Sequence, residues 1–216
     1  KSNQMVGDFI ELKIEYLNLA SQVLDIISHK IGTAPVAIAI SGESGSGKST
    51  LAVAMAELLE RANQPKIILH MDDYFKLPPL SNHKNREKNL ENVGPHEVHL
   101  DLLEKHIEDI KSNNSNQLIK PLSDYANDEI NEEVVNLSPN SVIIVEGTYT
   151  SLLQNIDVKI FIDRDYKSTL ENRKKRARDP ITPFVEKVLA IEHEIISRHK
   201  ALSDIIIDQN YQIKTA

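Results

Sequence analysis

The chain has 216 residues, a length that suits one domain with a sizeable core. Hydrophobic residues make up 40% and charged residues 26%, and the formal net charge of -7 argues against a nucleic-acid partner for the surface as a whole. Cysteine is absent, which excludes disulfides and thiolate metal sites. No apolar run approaches membrane-spanning length and nothing resembles a signal peptide, so a cytoplasmic protein without a membrane partner is expected.

Apolar side chains recur at helical spacing over residues 6–31 (Phe9, Ile10, Leu17, Ala20, Leu24, Ile27, Ile31), and Gly32 is placed to end that helix. This helix can cover the core, the favoured use, or meet a second copy in a homo-oligomer. Residues 34–41 form a short apolar run, the mark of a strand buried on both faces. A glycine-rich turn follows, then an Ala/Leu-rich helix over 48–61 and a second strand over 66–70. The polar stretch 76–94, with Pro78-Pro79, reads as a mobile loop or short lid, and Pro95 is placed to open a helix running to 110. Residues 117–122 and 133–137 look like a hairpin flap. Buried strands are expected at 141–145 and 158–162, helices at 166–178 and 183–199, and a last strand at 205–207. Strands alternating with helices imply one α/β domain, a mostly parallel sheet with helices on both faces.

Between the first strand and its helix, Gly42-Glu43-Ser44-Gly45-Ser46-Gly47-Lys48-Ser49 satisfies the phosphate-loop pattern G-x-x-x-x-G-K-S/T in its proper context. Glycines let successive backbone N–H groups turn inward around phosphate oxygens, and the helix N-terminus adds partial positive charge. Lys48 can then reach the β- and γ-phosphates of ATP, and the Ser49 hydroxyl can ligate Mg²⁺. These eight residues, with Thr50, are the expected nucleotide-binding set.

Ligands of open parallel sheets bind beyond the carboxyl ends of the strands. Three carboxylates sit there: Asp72, Glu146 and Asp163. One is needed near Mg²⁺, and another can orient or deprotonate an acceptor hydroxyl. Glu146 and Asp163 share the same local look after apolar strands, and pattern alone does not choose between them. Asp72 is followed by Tyr74-Phe75, a pair suited to wall an acceptor pocket. The run Arg173-Lys174-Lys175-Arg176-Ala177-Arg178 is a dense positive segment in an acidic chain, readable as a lid closing over the phosphates. His96 and His99 lack an evident third ligand and are assigned no metal.

Together these pieces resemble the uridine kinase and phosphoribulokinase family, its uridine kinase branch above all, over residues 36–208. The resemblance rests on GESGSGKS, Met71-Asp72-Asp73-Tyr74-Phe75-Lys76, Val145-Glu146-Gly147, the Arg-rich run before Asp179, and Ser203-Asp204-Ile205-Ile206-Ile207. It implies a three-layer α/β/α P-loop NTPase fold with a lid and a small β-hairpin flap. It also implies ATP and Mg²⁺ as cofactors and a small-molecule alcohol as partner. By that resemblance Asp72 is the acceptor-hydroxyl base and Glu146 joins Ser49 around Mg²⁺. Arg173, Arg176 or Arg178 close over the phosphates, and Tyr74, Phe75 and Tyr125 line the acceptor site. The departures lie on the acceptor side. The P-x-Y-D-F segment of uridine kinases appears as Pro121-Leu122-Ser123-Asp124-Tyr125, with Asp128 near the place of a base-reading histidine. Their Asp-His-Pro-Asp segment appears as Val93-Gly94-Pro95-His96. The expected activity is uridine kinase-like phosphoryl transfer. The alternatives are another small alcohol (pantothenate, a sugar phosphate, glycerate, a nicotinamide nucleoside) and a non-catalytic ATP-binding interaction protein.

Overall fold

Every residue of the first strand, β1 (Val36–Gly42), is buried, as its unbroken apolar sequence demands of a strand covered on both faces. The computed structural model describes residues 13–176 and 181–215, apart from the side chains of Asn172, Lys175 and Arg176. Along the chain β1 is followed by β2 (Lys66–His70), β3 (Gln117–Asp124), β4 (Glu129–Asn136), β5 (Val142–Glu146), β6 (Val158–Ile162), β7 (Ile205–Ile207) and β8 (Ile213–Thr215). The helices are α1 (Ile14–Ile27), α2 (Lys48–Arg61), α3 (Pro79–Lys88), α4 (Leu100–Lys111), α5 (Leu170–Arg176) and α6 (Pro183–Ile196). Six strands form one sheet in the order β2-β5-β1-β6-β7-β8, parallel except for the last pair.

Alternation along each strand sorts the core into two layers. Ile38 and Ile40 of β1, with Val142 and Ile144 of β5, meet α1 and α2 on one face. Ala37, Ile143 and Val145 meet Leu103 and Ile107 of α4 on the other. The sheet order brings the ends of β1, β5 and β2 side by side, with Ile40 opposite Glu146 and Glu146 opposite His70. Three loops and their side chains therefore converge on one rim.

The structure corrects the expected elements at several places. Residues 76–94, expected as a mobile loop or short lid, contain α3 and a 3₁₀ turn, Leu90–Asn92. The segment from Pro95 is a 3₁₀ turn, Pro95–Glu97, with α4 starting only at Leu100. The antiparallel strand β8 had no expected counterpart. The first ten or so residues that carried Phe9 and Ile10 lie outside the described residues. Where α1 is described, Leu19, Ala20, Val23 and Ile27 are buried in the core it shares with α2.

The antiparallel β3–β4 hairpin is moored to the end of β2. Lys120 Nζ donates to Asp73 Oδ2 at 2.9 Å, and both side chains are 2% exposed. The Ser123 N–H donates to the other Asp73 oxygen at 3.1 Å, and the Ser123 hydroxyl to the Asp72 carbonyl at 3.1 Å. A buried ion pair tolerates joint replacement far better than loss of one partner. Lys120→Met is expected to cost about 3–5 kcal/mol in denaturant unfolding, and Lys120→Met with Asp73→Asn, which keeps an acceptor for the Ser123 N–H, distinctly less. Equal losses for the two proteins would show that the pair is not what holds the hairpin.

Candidate active site

The glycine-rich turn owes its course to residues that side chains would block. Gly42, Gly45 and Gly47 have φ of 147°, 78° and 103°. A Cβ on Gly45 would fall 2.6 Å from Arg173 Cγ, and one on Gly47 2.3 Å from the Tyr16 hydroxyl. The turn ends in the first residue of α2, so the helix N-terminus and the positive end of its dipole adjoin the loop. Lys48 is buried, and its Nζ donates to the Glu43 carbonyl at 2.9 Å, which folds the amine back along the loop. The Glu43 side chain faces His193 of α6 at 3.0 Å; burial pushes its carboxyl up and His193 pulls it down. Thr50 follows in the first turn of α2 and is half-buried.

Glu146 leaves the end of β5 beside the loop and accepts from the Ser49 hydroxyl at 3.1 Å. Asp163 instead meets Lys200 at 2.5 Å, with its side chain 43% exposed. Of the two carboxylates that looked alike in sequence, only Glu146 stands at the serine. The same Glu146 oxygen shares a hydrogen bond of 2.7 Å with His70 Nδ1, the last residue of β2. His70 was not singled out in the sequence. The strand register supplies the missing signal, since a β2 end placed beside β5 puts this imidazole next to the carboxylate.

A cavity of about 200 Å³ opens over these groups. Lys48, Ser49, Asp72, Glu146 and Arg173 line its polar side, and Phe75 and Tyr125 its wall. Asp72 lies in the 3₁₀ turn Met71–Tyr74 that continues β2. Tyr74, expected in that wall, is a correction. It is 1% exposed, its hydroxyl is 2.9 Å from His106 Nδ1, and its ring packs edge-on to that imidazole in the α4 layer. The backbone leaves the 3₁₀ turn for an extended conformation at Phe75, and there Phe75 lines the cavity while Tyr74 packs in the core.

Arg173, on α5, donates through Nη2 to the Tyr166 carbonyl at 3.0 Å, while its Nε is buried without a partner among the described residues. Thr169 fastens the start of this helix to the loop by donating to the Ser44 carbonyl at 3.2 Å. The side chain of Arg176, and Arg178 altogether, lie outside the described residues. At the far end of the cavity Glu97 accepts from Arg86 Nε at 2.5 Å and Nη2 at 2.8 Å, from Asn82 at 3.1 Å and from the Gly94 N–H at 2.8 Å. Asp128, which stands where the resemblance puts a histidine, caps α3: it accepts from the Leu80 N–H at 2.7 Å and the Ser81 hydroxyl at 2.7 Å. That bonding holds its carboxyl below the usual carboxylate range, the Ser81 hydroxyl most of all.

A parallel sheet whose first strand runs through such a loop into a helix, with a carboxylate from the neighbouring strand beside the loop serine, defines a P-loop kinase fold. Residues 37–207 match the model of the phosphoribulokinase / uridine kinase family, and the chain belongs to it. A uridine kinase of Latilactobacillus sakei is 29% identical over 188 residues, 82% of this chain and 86% of that one. A uridine kinase of Bacillus cereus is 30% identical over 192 residues, 82% and 87% of the two chains. Among solved structures, that of a possible uridine kinase from Bacillus stearothermophilus superposes with a TM-score of 0.65. It covers 89% of this chain and 99% of its own at 20% identity, a likeness of fold. Among the described residues no helix is long and apolar enough to cross a membrane.

Proposed function

We propose that this chain is a uridine kinase-like phosphotransferase that moves the γ-phosphoryl group of ATP to a hydroxyl of a nucleoside or related small alcohol. The observation that carries this reading is the convergence of Lys48, Ser49, Asp72 and Glu146 on one cavity at the carboxyl ends of β1, β2 and β5. The residues fit a triphosphate with its metal. The loop follows a path that side chains would block, the Ser46 hydroxyl is buried within it without a partner among the described residues, and Ser49 and Glu146 offer two oxygens 3.1 Å apart. Hard oxygen donors of this kind suit Mg²⁺, which bound there would neutralise phosphate charge.

In this reading the loop amides and Lys48 bind and orient the phosphates. Asp72 accepts the proton of the attacking hydroxyl, and Arg173 adds positive charge where the transferring group passes. Catalysis then rests on positioning and charge stabilisation more than on strong base action. Phe75 and Tyr125 supply apolar surface for the acceptor.

A second reading within kinases, a different small alcohol, is favoured by Asp128. A carboxylate engaged in capping α3 offers no donor to a pyrimidine edge. ADP release measured over a panel of uridine, cytidine, pantothenate, D-glycerate, ribose 5-phosphate and nicotinamide riboside tests both. Turnover of uridine or cytidine supports the first reading, and turnover of another member alone supports the second. Tight Mg·ATP binding with no ADP formed against any acceptor would favour a nucleotide-sensing protein instead.

A further inference from the structure

Alternation along β2 and β5 sets His70 and Glu146 in phase with Ile68 and Ile144, which belong to the layer packed on α2. The two residues are Cα partners at the ends of neighbouring parallel strands, so their side chains leave the sheet on the same face. Ser49, in the first turn of α2, stands on that face. Glu146 Oε1 there takes two contacts, the Ser49 hydroxyl at 3.1 Å and His70 Nδ1 at 2.7 Å. The imidazole is 3% exposed and the carboxylate 4%, which shields the bond from water. An ionised carboxylate only accepts, so Nδ1 is the donor toward it. A short bond to a charged acceptor is strong and directional. The serine hydroxyl rotates; the imidazole is a rigid plane set on a strand.

We propose that His70 is a positioning residue: its Nδ1–H holds Glu146 in the orientation that receives the divalent cation before the cation arrives. The inference rests on the metal assignment within the kinase reading above, in which Ser49 and Glu146 hold Mg²⁺. His70 is not among the residues that line the cavity, so its part is played through Glu146. A glutamate side chain has several rotatable bonds, and freezing them when an ion binds takes free energy from the binding. A partner fixed by its own strand freezes them at folding instead. Mg²⁺ demands near-ideal octahedral placement of its oxygens, so it loses much when a carboxylate wanders. Side chains that orient metal ligands in this way typically govern metal affinity by about tenfold or more. If His70 did no more than fill space beside a buried acid, its N–H would have no link to the ion.

The experiment measures ADP affinity by calorimetry, in saturating Mn²⁺ and in EDTA, for wild type, His70→Leu, His70→Asn and His70→Phe. Mn²⁺ takes the same octahedral oxygen ligands as Mg²⁺. The ratio of the two affinities isolates the metal, because chelation of Mn²⁺ by free ADP is common to all four proteins. Leucine and asparagine share a shape, but only asparagine keeps an N–H where Nδ1 stands. His70→Leu is expected to lower the ratio by about tenfold or more while affinity in EDTA changes little, and His70→Asn to recover most of the loss. In turnover the loss should show as a higher Mg²⁺ requirement, with kcat largely regained at saturating Mg²⁺. Should His70→Leu not fold, His70→Phe, which keeps a ring without the donor, takes its place in the comparison. Equal ratios in the asparagine and donor-free proteins overturn the positioning role, as does a loss that appears equally in EDTA. A wild-type ratio near one overturns it together with the metal assignment. A ratio that depends on the His70 donor, with no ADP released from Mg·ATP against any acceptor, keeps the role and rejects the kinase reading.

Discussion

Lys48→Ala is expected to lower turnover by about 10³-fold or more while the chain stays folded. Lys48 is buried at the junction of the loop and α2, and its Nζ is held against the Glu43 carbonyl at 2.9 Å within the same loop. A cation in that place acts on phosphate charge at short range, in surroundings that screen it far less than water does. Alanine there improves helix propensity slightly and buries no new polar group, so the melting temperature should change little. The comparison is ADP release in the presence of the best acceptor, with melting followed in parallel. Turnover within tenfold of wild type would remove the phosphate-gripping role from this lysine.

Asp72→Asn is expected to depress kcat by about 10²-fold or more and to leave Mg·ATP affinity largely intact. The residue stands on the 3₁₀ turn after β2, away from the loop amides, with its backbone carbonyl held by the Ser123 hydroxyl at 3.1 Å. Asparagine keeps the shape and the backbone bond but cannot take a proton. Because the reaction depends chiefly on positioning, the loss should be smaller than for Lys48. Calorimetry with Mg·ATP and initial rates with saturating acceptor separate the two effects. If Asp72→Asn turns over nearly as fast as wild type, the proton goes elsewhere.

The parts of the molecule that follow local rules were open to inspection in the residues alone. The helix Lys48–Arg61 and the strands at Lys66–His70, Val158–Ile162 and Ile205–Ile207 fall where their apolar patterns place them. What stayed hidden depends on distant partners. Helix α3 is polar nearly throughout and has only Asn82 buried, so it shows no apolar stripe. Its start is capped by Asp128 from the hairpin turn, and its Arg86 is anchored by Glu97 from beyond its end. Tyr74 and Phe75 could not be told apart until the direction of the turn after β2 was known. His70 and Glu192 are ordinary in sequence; the sheet register sets the first against Glu146, and the packing of α6 sets the second against the cavity.

The β-hairpin is tied down twice, midway along by Lys120 to Asp73 and at its tip by Asp128 to the first turn of α3. Something fastened at two points along its length serves as masonry rather than as a door. Widening the chamber for a bulkier guest therefore calls for trimming Leu77 or Val185, which line it, rather than bending the hairpin.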